Sequence, residues 1–346
     1  MEEKNKIIDF WLKTFDNFSH ENQEAGKMLF YIFINQLTKN YSKIVFINNY
    51  AKIFPLHLIF LQESRSGKGK AINFFEMIIN LFNELIIENK KLNFKELNGN
   101  EKKDILLNND ENKGILEKNN FLIYNEALFL LKNNKVIEMM LNILEEKPVF
   151  KREKDGTEIK TFFFGSLIAT TRPLPNLETF MANSGMLQRC FCIIRELDDE
   201  TRQKMNEKII YLINRSEEEI KKQVFELIKE LIKIFDFIKN INNNLSIKDE
   251  DECLLLMKNK NEELLEIIGR IQDKNHQKIL ASFVGGNNSI VMNIAIFNAL
   301  SNFRTEIIKE DFIIATNFYK ESFNHVKNWI IEKVKIDKAF SLKEKD

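Results

Sequence analysis

The sequence predicts an α/β fold: a parallel sheet flanked by helices, with further helices before it and an all-helical region after it. Short apolar runs alternate with helical patterns in the middle of the chain, which is typical of parallel sheets with crossover helices. Only 11 glycines and 4 prolines occur among 346 residues, and this scarcity favours long helices over a turn-rich all-β fold. Beyond about residue 199 the apolar spacing is helical throughout.

Composition narrows the class of protein. Hydrophobic residues make up 44% of the chain, which is typical of a globular protein. The 51 Lys and Arg residues balance the 51 Asp and Glu residues, so nucleic-acid binding would need a local basic patch. Apolar runs stay below the ~18 residues of a membrane span, and the charged start, residues 1–4, does not predict a signal peptide. We expect a cytoplasmic protein with no membrane partner.

Changes of pattern predict three regions. Residues 1–50 have helical spacing, residues 51–198 contain the strand-like runs, and residues 199–346 follow the polar stretch RELDDETRQK and are helical. The three cysteines include no CxxC pair, and Cys190 and Cys192 alternate on a predicted strand. This pattern indicates buried structural thiols, not a disulfide framework or a zinc site.

The stretch LQESRSGKGKA, residues 61–71, lies between a strand pattern and a helical pattern. A glycine turn before a helix N-terminus can wrap backbone N–H groups around phosphate, and a lysine adds charge. The G-x-x-x-x-G-K-[ST] pattern fits in two registers, one with Gly67 and Lys68 and one with Gly69 and Lys70. We prefer the first, because its loop starts directly after the strand. The candidate phosphate-binding residues are Ser64, Ser66, Gly67, Lys68, Gly69 and Lys70.

The usual hydroxyl after the lysine is missing from this loop in both registers. Gly69 or Ala71 takes the place of the Ser or Thr that would ligate Mg²⁺. An exposed basic turn is the alternative interpretation of the same residues.

A second motif is the apolar strand FLIY, residues 121–124, which ends in Asn125 and Glu126. In P-loop ATPases, one polar residue at such a strand end holds Mg²⁺ and a neighbouring acid activates the attacking water. We therefore assign Asn125 to the metal and Glu126 to catalysis. A strand end followed by a helix-capping Asn is the alternative.

Two further motifs fit the same chemistry. Thr170 and Thr171 end another apolar strand, where ring-forming ATPases place a polar side chain near the γ-phosphate. Arg189, in the block SGMLQR, is a candidate to reach a neighbouring subunit's nucleotide. A surface arginine is the alternative.

A basic hairpin is predicted between the second and third motifs. An Asp-Gly dipeptide at residues 155–156 separates two strand-like runs, a strong signal for a two-residue turn. Its candidate nucleic-acid contacts are Lys151, Arg152, Lys154 and Lys160. A solvated basic turn is the alternative.

The ordered set of motifs resembles the primase-associated replicative helicases of phages, plasmids and integrated elements. That family is similar to superfamily 3 and minichromosome-maintenance helicases within the AAA+ class of P-loop ATPases. The resemblance rests on the SRSGK loop, the strand ending in Asn125, the strand SLIATTRP and the SGMLQR block. It also includes the C-terminal VMNIAIFNALSN and IIKEDFIIATNFYKESFNH segments, which look like the family's lid.

The resemblance implies a function and a set of roles. ATP and Mg²⁺ would be cofactors. The chain would form a homo-oligomer, a hexameric ring, and single-stranded or forked DNA would pass through it. A primase or initiator protein would be a further partner. Lys68 would bind phosphate, Glu126 would activate water, and Arg189 would act as a finger between subunits. Thr170 or Thr171 would act as sensor, and the hairpin would line the DNA channel.

The chain departs from the family at two further positions, and two other classes of function remain as alternatives. Asn125 replaces an acid, and Asn293 lies where such lids often carry a second basic sensor. One alternative function is a nucleotide-binding assembly or loading factor with little hydrolysis. Another is a helical adaptor that binds no nucleotide.

Overall fold

A computed structural model describes the chain from residue 6 to residue 343, with gaps. The described residues are 6–19, 22–42, 53–63, 66–86, 91–98, 116, 119–125, 127, 140–152, 158–172, 185–195, 198–213, 216–241 and 245–343. Its helices are α1 (Lys6–Phe15), α2 (Gln23–Tyr41), α3 (Lys68–Leu85), α4 (Asp199–Ile213), α5 (Glu217–Asn240), α6 (Glu250–Gly269), α7 (Lys274–Gly285), α8 (Asn287–Ser301) and α9 (Lys309–Lys343). Its strands are β1 (Leu58–Gln62), β2 (Phe94–Asn98), β3 (Phe121–Asn125), β4 (Val149–Arg152), β5 (Glu158–Thr161), β6 (Ser166–Thr171), β7 (Phe191–Arg195), β8 (Ser246–Ile247) and β9 (Glu306–Ile307).

Five of these strands form a parallel sheet in the order β2-β3-β6-β1-β7. Successive residues of β1 and β6 are all buried, so both faces of the sheet are covered there, and this explains their unbroken apolar runs. Leu61 of β1 lies opposite Thr171 of β6, and Asn125 of β3 lies opposite Thr170. The α/β class and the parallel sheet flanked by helices are confirmed.

The strand order makes the carboxyl end of β1 a topological switch point. The chain leaving β1 runs to β2 at one edge of the sheet, whereas the chain leaving its neighbour β6 passes to β7 at the other edge. Open α/β sheets bind ligands where adjacent connections diverge in this way, outside the carboxyl ends of the strands. The loop that follows β1 therefore lies at the point of the sheet where this general rule predicts a ligand.

An aromatic cluster fixes the N-terminal helices beside the helix that follows the loop. Trp11 of α1 meets Phe30 and Phe74 edge to face, with ring centres 5.5 and 5.1 Å apart. Phe82 of α3 meets Phe235 of α5 at 5.6 Å. Such pairs contribute about 0.5–1.5 kcal/mol each beyond area burial, so helices from both ends of the chain share one core with the sheet.

Strand β7 is an edge strand, and helix α9 packs along it. Ser322 Oγ donates to the Cys192 carbonyl at 2.7 Å, and the Cys192 N–H donates back to Ser322 Oγ at 3.0 Å. This exchange satisfies backbone groups that an open edge would offer to another chain. Cys190 and Cys192 are buried, as predicted, and burial raises the pKa of the Cys190 thiol to about 12.

The expectation that residues beyond 199 are helical throughout is wrong in one place. Strands β8 and β9 pair in parallel, with Ser246 opposite Glu306 and Ile247 opposite Ile307. Two residues are too few to show the period of a strand, and their pairing depends on tertiary contact.

The helices of the described residues differ in length and in apolar content. No single helix there is long and apolar enough to cross a membrane. Helices α7 and α8 reach that length and composition only together, with a 40° bend between them.

Candidate functional site

The loop after β1 folds around the ammonium group of Lys68. Lys68 Nζ donates to the carbonyl oxygens of Gln62 and Glu63, the second at 2.6 Å. Gly67 has a φ of +83°, a left-handed conformation that glycine adopts without strain and that turns the chain into α3. The strand, glycine turn and helix that the sequence predicts are therefore all present in this order.

Two residues between α1 and α2 hold the backbone of this loop. Asn22 Nδ2 donates to the Ser66 carbonyl at 2.9 Å, and Ser19 Oγ donates to the Gly67 carbonyl at 3.0 Å. A Cβ at position 67 would lie 3.1 Å from both side chains. Sequence reasoning missed Ser19 and Asn22, because more than forty residues separate them from the loop and no local pattern links the two.

The geometry of the loop favours the first of the two registers. The Lys68 ammonium lies inside the loop, whereas Lys70 is exposed on α3. A Cβ at Gly69 would meet no atom within 4 Å, so a hydroxyl-bearing residue would fit there, while Ala71 is fully buried. Ser64 lies outside the described residues.

Asn125 and Thr170 lie side by side at the carboxyl ends of β3 and β6. Thr170 Oγ1 is 3.4 Å from the Tyr124 carbonyl and 3.5 Å from Asn125 Oδ1. The Ala127 N–H donates to the Thr170 carbonyl at 2.8 Å. Glu126 lies outside the described residues, so its assignment as the water-activating carboxylate stays a prediction.

Buried polar atoms without a hydrogen-bond partner cluster at this end of the sheet. In the described part of the chain they include both side-chain polar atoms of Gln62, together with Ser66 Oγ, Thr171 Oγ1 and Asn22 Oδ1. A buried polar group left unpaired costs about 1–3 kcal/mol, and native proteins keep few of them. Four such residues around one loop indicate a site built for a polar ligand.

Charged side chains surround the loop in opposite-charge pairs. Arg195, at the end of β7, lies opposite Gln62 in the sheet and 3.3 Å from Glu24. Arg202 of α4 pairs with Glu63 at the start of the loop. Both ion pairs therefore border the loop.

The described donors fit Mg²⁺ only when a phosphate and a carboxylate are added. No group of three His, Cys, Asp or Glu side chains in the described ranges has the geometry of a metal site. Asn125 Oδ1, the predicted ligand, is a neutral oxygen beside Thr170. Mg²⁺ keeps several waters and commonly binds one or two carboxylates plus substrate phosphates, so Asn125 alone would hold it weakly.

Arg189 lies at the opposite end of the sheet from the loop. It precedes β7, which runs parallel to β1 with Phe191 opposite Leu58 at their amino ends. Its guanidinium donates to Glu145 Oε1 at 2.6 Å and to the Gly185 carbonyl at 2.7 Å. The five residues of β1 span roughly 16 Å, so Arg189 lies too far from the loop of its own chain to contact a ligand bound there.

Asn293 also lies away from the loop. Its Nδ2 donates to the Phe54 carbonyl at 3.2 Å, and Phe54 precedes the amino end of β1. The position that we interpreted as the counterpart of a second basic sensor is therefore at the other end of the sheet. Arg195 is a cation that adjoins the loop, at the end of the apolar strand β7, and its place at a strand end was the signal that could have identified it.

The predicted hairpin is present as the antiparallel pair β4 and β5, with Phe150 opposite Lys160. Lys151 and Arg152 belong to β4, and Lys160 belongs to β5 and is exposed. Lys154, near the tip, lies outside the described residues. The hairpin leads directly into β6 at the amino end of the sheet.

Neither a scan against protein-family models nor a search of curated proteins gave a match for this chain. Its function is therefore inferred from the positions of its own residues.

Proposed function

We propose that the chain is a AAA+-type P-loop ATPase that acts on DNA as a helicase or translocase in the replication of a virus or plasmid. One observation carries the proposal. The Lys68 loop adjoins a cluster of buried polar atoms that have no partners among the described residues. Nucleotide phosphates would accept hydrogen bonds from Lys68 and from the N-terminal N–H groups of α3.

The strand order supports a P-loop core of this type. β6 lies between β1, which carries the loop, and β3, which ends in Asn125. Thr170 and Thr171 therefore lie between the phosphate loop and the predicted water-activating position. Thr171 Oγ1 is buried and has no partner in the described residues, so of the two hydroxyls it is the one left to contact a ligand.

The position of Arg189 supports an oligomer in which one chain completes the site of the next. A residue that reaches only a neighbour's nucleotide requires a head-to-tail interface, and such an interface forms a ring where the rotation between neighbouring chains closes. We propose a homo-hexamer with DNA in its channel and a primase or initiator as partner. In this assembly Arg189 would contact the γ-phosphate that the neighbour's Lys68 holds.

A second candidate function is a nucleotide-binding assembly factor with little hydrolysis. Gly69 replaces the Mg²⁺-ligating hydroxyl and Asn125 replaces an acid, so binding is retained better than turnover. The two candidates differ in ATPase rate and not in ATP affinity.

The deciding experiment compares Lys68→Ala with Lys70→Ala as its matched control. Binding of a fluorescent ATP analogue and steady-state ATP hydrolysis would be measured with and without single-stranded DNA. Because a charge-assisted hydrogen bond contributes about 1.5–3 kcal/mol, we expect Lys68→Ala to weaken binding roughly 10- to 100-fold, and Lys70→Ala to change it little.

Each other outcome has a definite meaning. A larger loss for Lys70→Ala would establish the second register. Unchanged binding in both variants would contradict a nucleotide site. Normal binding with no hydrolysis, even with DNA, would favour the assembly factor.

A further inference from the structure

The hairpin and the residues that follow it have one buried face and one exposed face. The buried positions are Val149, Thr161 and Phe163. The exposed positions that alternate with them are Phe150, Lys160 and Phe164. Outward positions of a half-buried strand usually carry polar residues, so two phenylalanines there are not explained by the fold.

The exposed rings form a group around one cation. Phe150 is 49% exposed and Phe164 is 55% exposed. Phe162 stacks on Phe164, with the ring centres 5.8 Å apart and the planes 7° from parallel. The Lys160 ammonium lies 5.0 Å from the centre of the Phe162 ring and 5.9 Å from that of Phe150.

The size of this surface distinguishes between classes of partner. Half-exposed, Phe150 and Phe164 together offer about 200 Å² of ring surface. A stable protein interface needs about 800 Å² on each side, which is several times more. A nucleic-acid base needs only one ring face, and stacking on it contributes about 1–3 kcal/mol per base.

We propose that Phe150 and Phe164 stack unpaired bases of single-stranded nucleic acid while Lys160 contacts the adjoining phosphate. Flat apolar rings beside an ammonium match a chain that alternates flat bases with phosphates. Stacking requires bases that are free of a duplex, so the site selects single strands and tolerates any sequence. This inference rests on the proposed function, since it names how the hairpin holds the nucleic acid.

The hairpin is followed directly by the strand that ends beside the candidate nucleotide site. Gly165 connects Phe164 to β6, and β6 ends at Thr170 and Thr171 beside the loop. A Cβ at Gly165 would lie 2.3 Å from the Asn120 carbonyl, so the backbone there is held tightly against the strand that ends in Asn125.

The test measures binding of labelled oligo(dT) and of an abasic oligonucleotide of equal length by fluorescence anisotropy, without nucleotide. Because each base stack contributes about 1–3 kcal/mol, we expect Phe150→Ala and Phe164→Ala each to weaken oligo(dT) binding roughly 5- to 100-fold. Binding of the abasic probe should be unchanged. Phe164→Leu, which keeps apolar bulk but no ring, should behave like Phe164→Ala.

Phe225→Ala is the matched control. Phe225 is 46% exposed on α5, and the Lys229 ammonium lies 5.4 Å from its ring centre, so it reproduces the exposed ring and its cation elsewhere on the surface. We expect no change in oligo(dT) binding. Lys160→Ala should reduce the salt dependence of binding by roughly 0.7 per lost phosphate contact, whereas the phenylalanine variants should leave that dependence unchanged.

Three outcomes would overturn the stacking site. The first is an equal loss of affinity for oligo(dT) and for the abasic probe, and the second is full oligo(dT) affinity in Phe164→Leu. The third is a wild-type protein that is oligomeric and a Phe150→Ala variant that is monomeric, which would assign the rings to a protein interface. Lys68→Ala should bind oligo(dT) normally in this assay. If the wild-type protein binds oligo(dT) better than the abasic probe but does not bind ATP, the proposed function alone is contradicted. If it hydrolyses ATP normally but binds both probes equally, the stacking site alone is contradicted.

Discussion

The two ends of the sheet differ in how fully their polar groups are satisfied. At the carboxyl end, Gln62, Ser66 and Thr171 bury polar atoms that have no partner in the described residues. At the amino end, Arg189 is held by Glu145 and by a backbone carbonyl. The exposed groups there are apolar rings and a lysine. The proposed function uses this difference: a small polar ligand would satisfy the unpaired atoms at the carboxyl end, and a larger partner would contact the rings and the lysine at the amino end.

This difference places two basic residues apart that sequence motifs alone do not separate. Lys68 and Arg189 are both basic residues expected near phosphate, but they lie at opposite ends of parallel strands. If both contact one nucleotide, two chains must supply them. Substitutions at each end of the sheet test this difference, and the largest expected effect is at Arg189.

Arg189→Ala should lower ATP turnover by about 10³-fold or more, because arginine fingers contribute 10³–10⁵ to the rate. Binding of ATP should stay at the wild-type level, since Arg189 lies far from its own loop. Mixing Arg189→Ala with Lys68→Ala should restore part of the activity, because interfaces that join an intact loop to an intact finger then form. Failure of the mixture to recover activity would contradict a site shared between chains.

The amino end should be the acid-sensitive end. His57 Nδ1 accepts from the Leu167 N–H at 3.0 Å, and its Nε2 lies 3.2 Å from the Leu144 carbonyl. Burial is the main cause that lowers the pKa of His57 to about 3 from 6.5. The unfolded chain binds a proton below pH 6.5 and the folded chain does not. Stability is therefore full above pH 6.5, and by pH 5 about 2 kcal/mol is lost.

Denaturant unfolding at pH 7 and pH 5 would measure this loss, with His57→Gln as control. The Gln amide can accept and donate at the same two places but does not titrate. We expect His57→Gln to be less stable than wild type at pH 7 and to lose less stability than wild type between pH 7 and pH 5. An equal fall in both proteins would assign the acid sensitivity to other groups.

Sequence patterns predicted the sheet better than the site. The apolar runs of β1 and β6 and the two strand-like runs of the hairpin are local signals, and these strands are confirmed. Ser19 and Asn22 brace the loop from more than forty residues away, and only tertiary packing brings them there. The exposed face of Phe150 and Phe164 was equally hidden, because a phenylalanine in a strand usually indicates burial.

Gly69→Ser should lower the Mg²⁺ concentration for half-maximal ATPase activity by about tenfold, the effect of one good ligand hydrogen bond or coordination contact. Position 69 is open to a side chain, so the hydroxyl enters without strain. Ala71→Ser is the control, because it restores the hydroxyl of the second register at a buried position. A lower Mg²⁺ requirement in Ala71→Ser instead would show that Lys70 is the phosphate-binding lysine.

Glu145→Gln should have the smallest effect. It tests whether Glu145 restrains Arg189 in the isolated chain. Removing the carboxylate frees Arg189 for a neighbouring nucleotide, and a partly exposed ion pair such as this one contributes about 0.2–1 kcal/mol. The protein concentration for half-maximal ATPase activity should therefore fall about two- to fivefold. Lys147→Gln is the control, since Lys147 also pairs with Glu145 but its loss leaves the contact between Glu145 and Arg189 in place. If Glu145→Gln requires more protein than wild type, Glu145 holds Arg189 in its working position and does not restrain it.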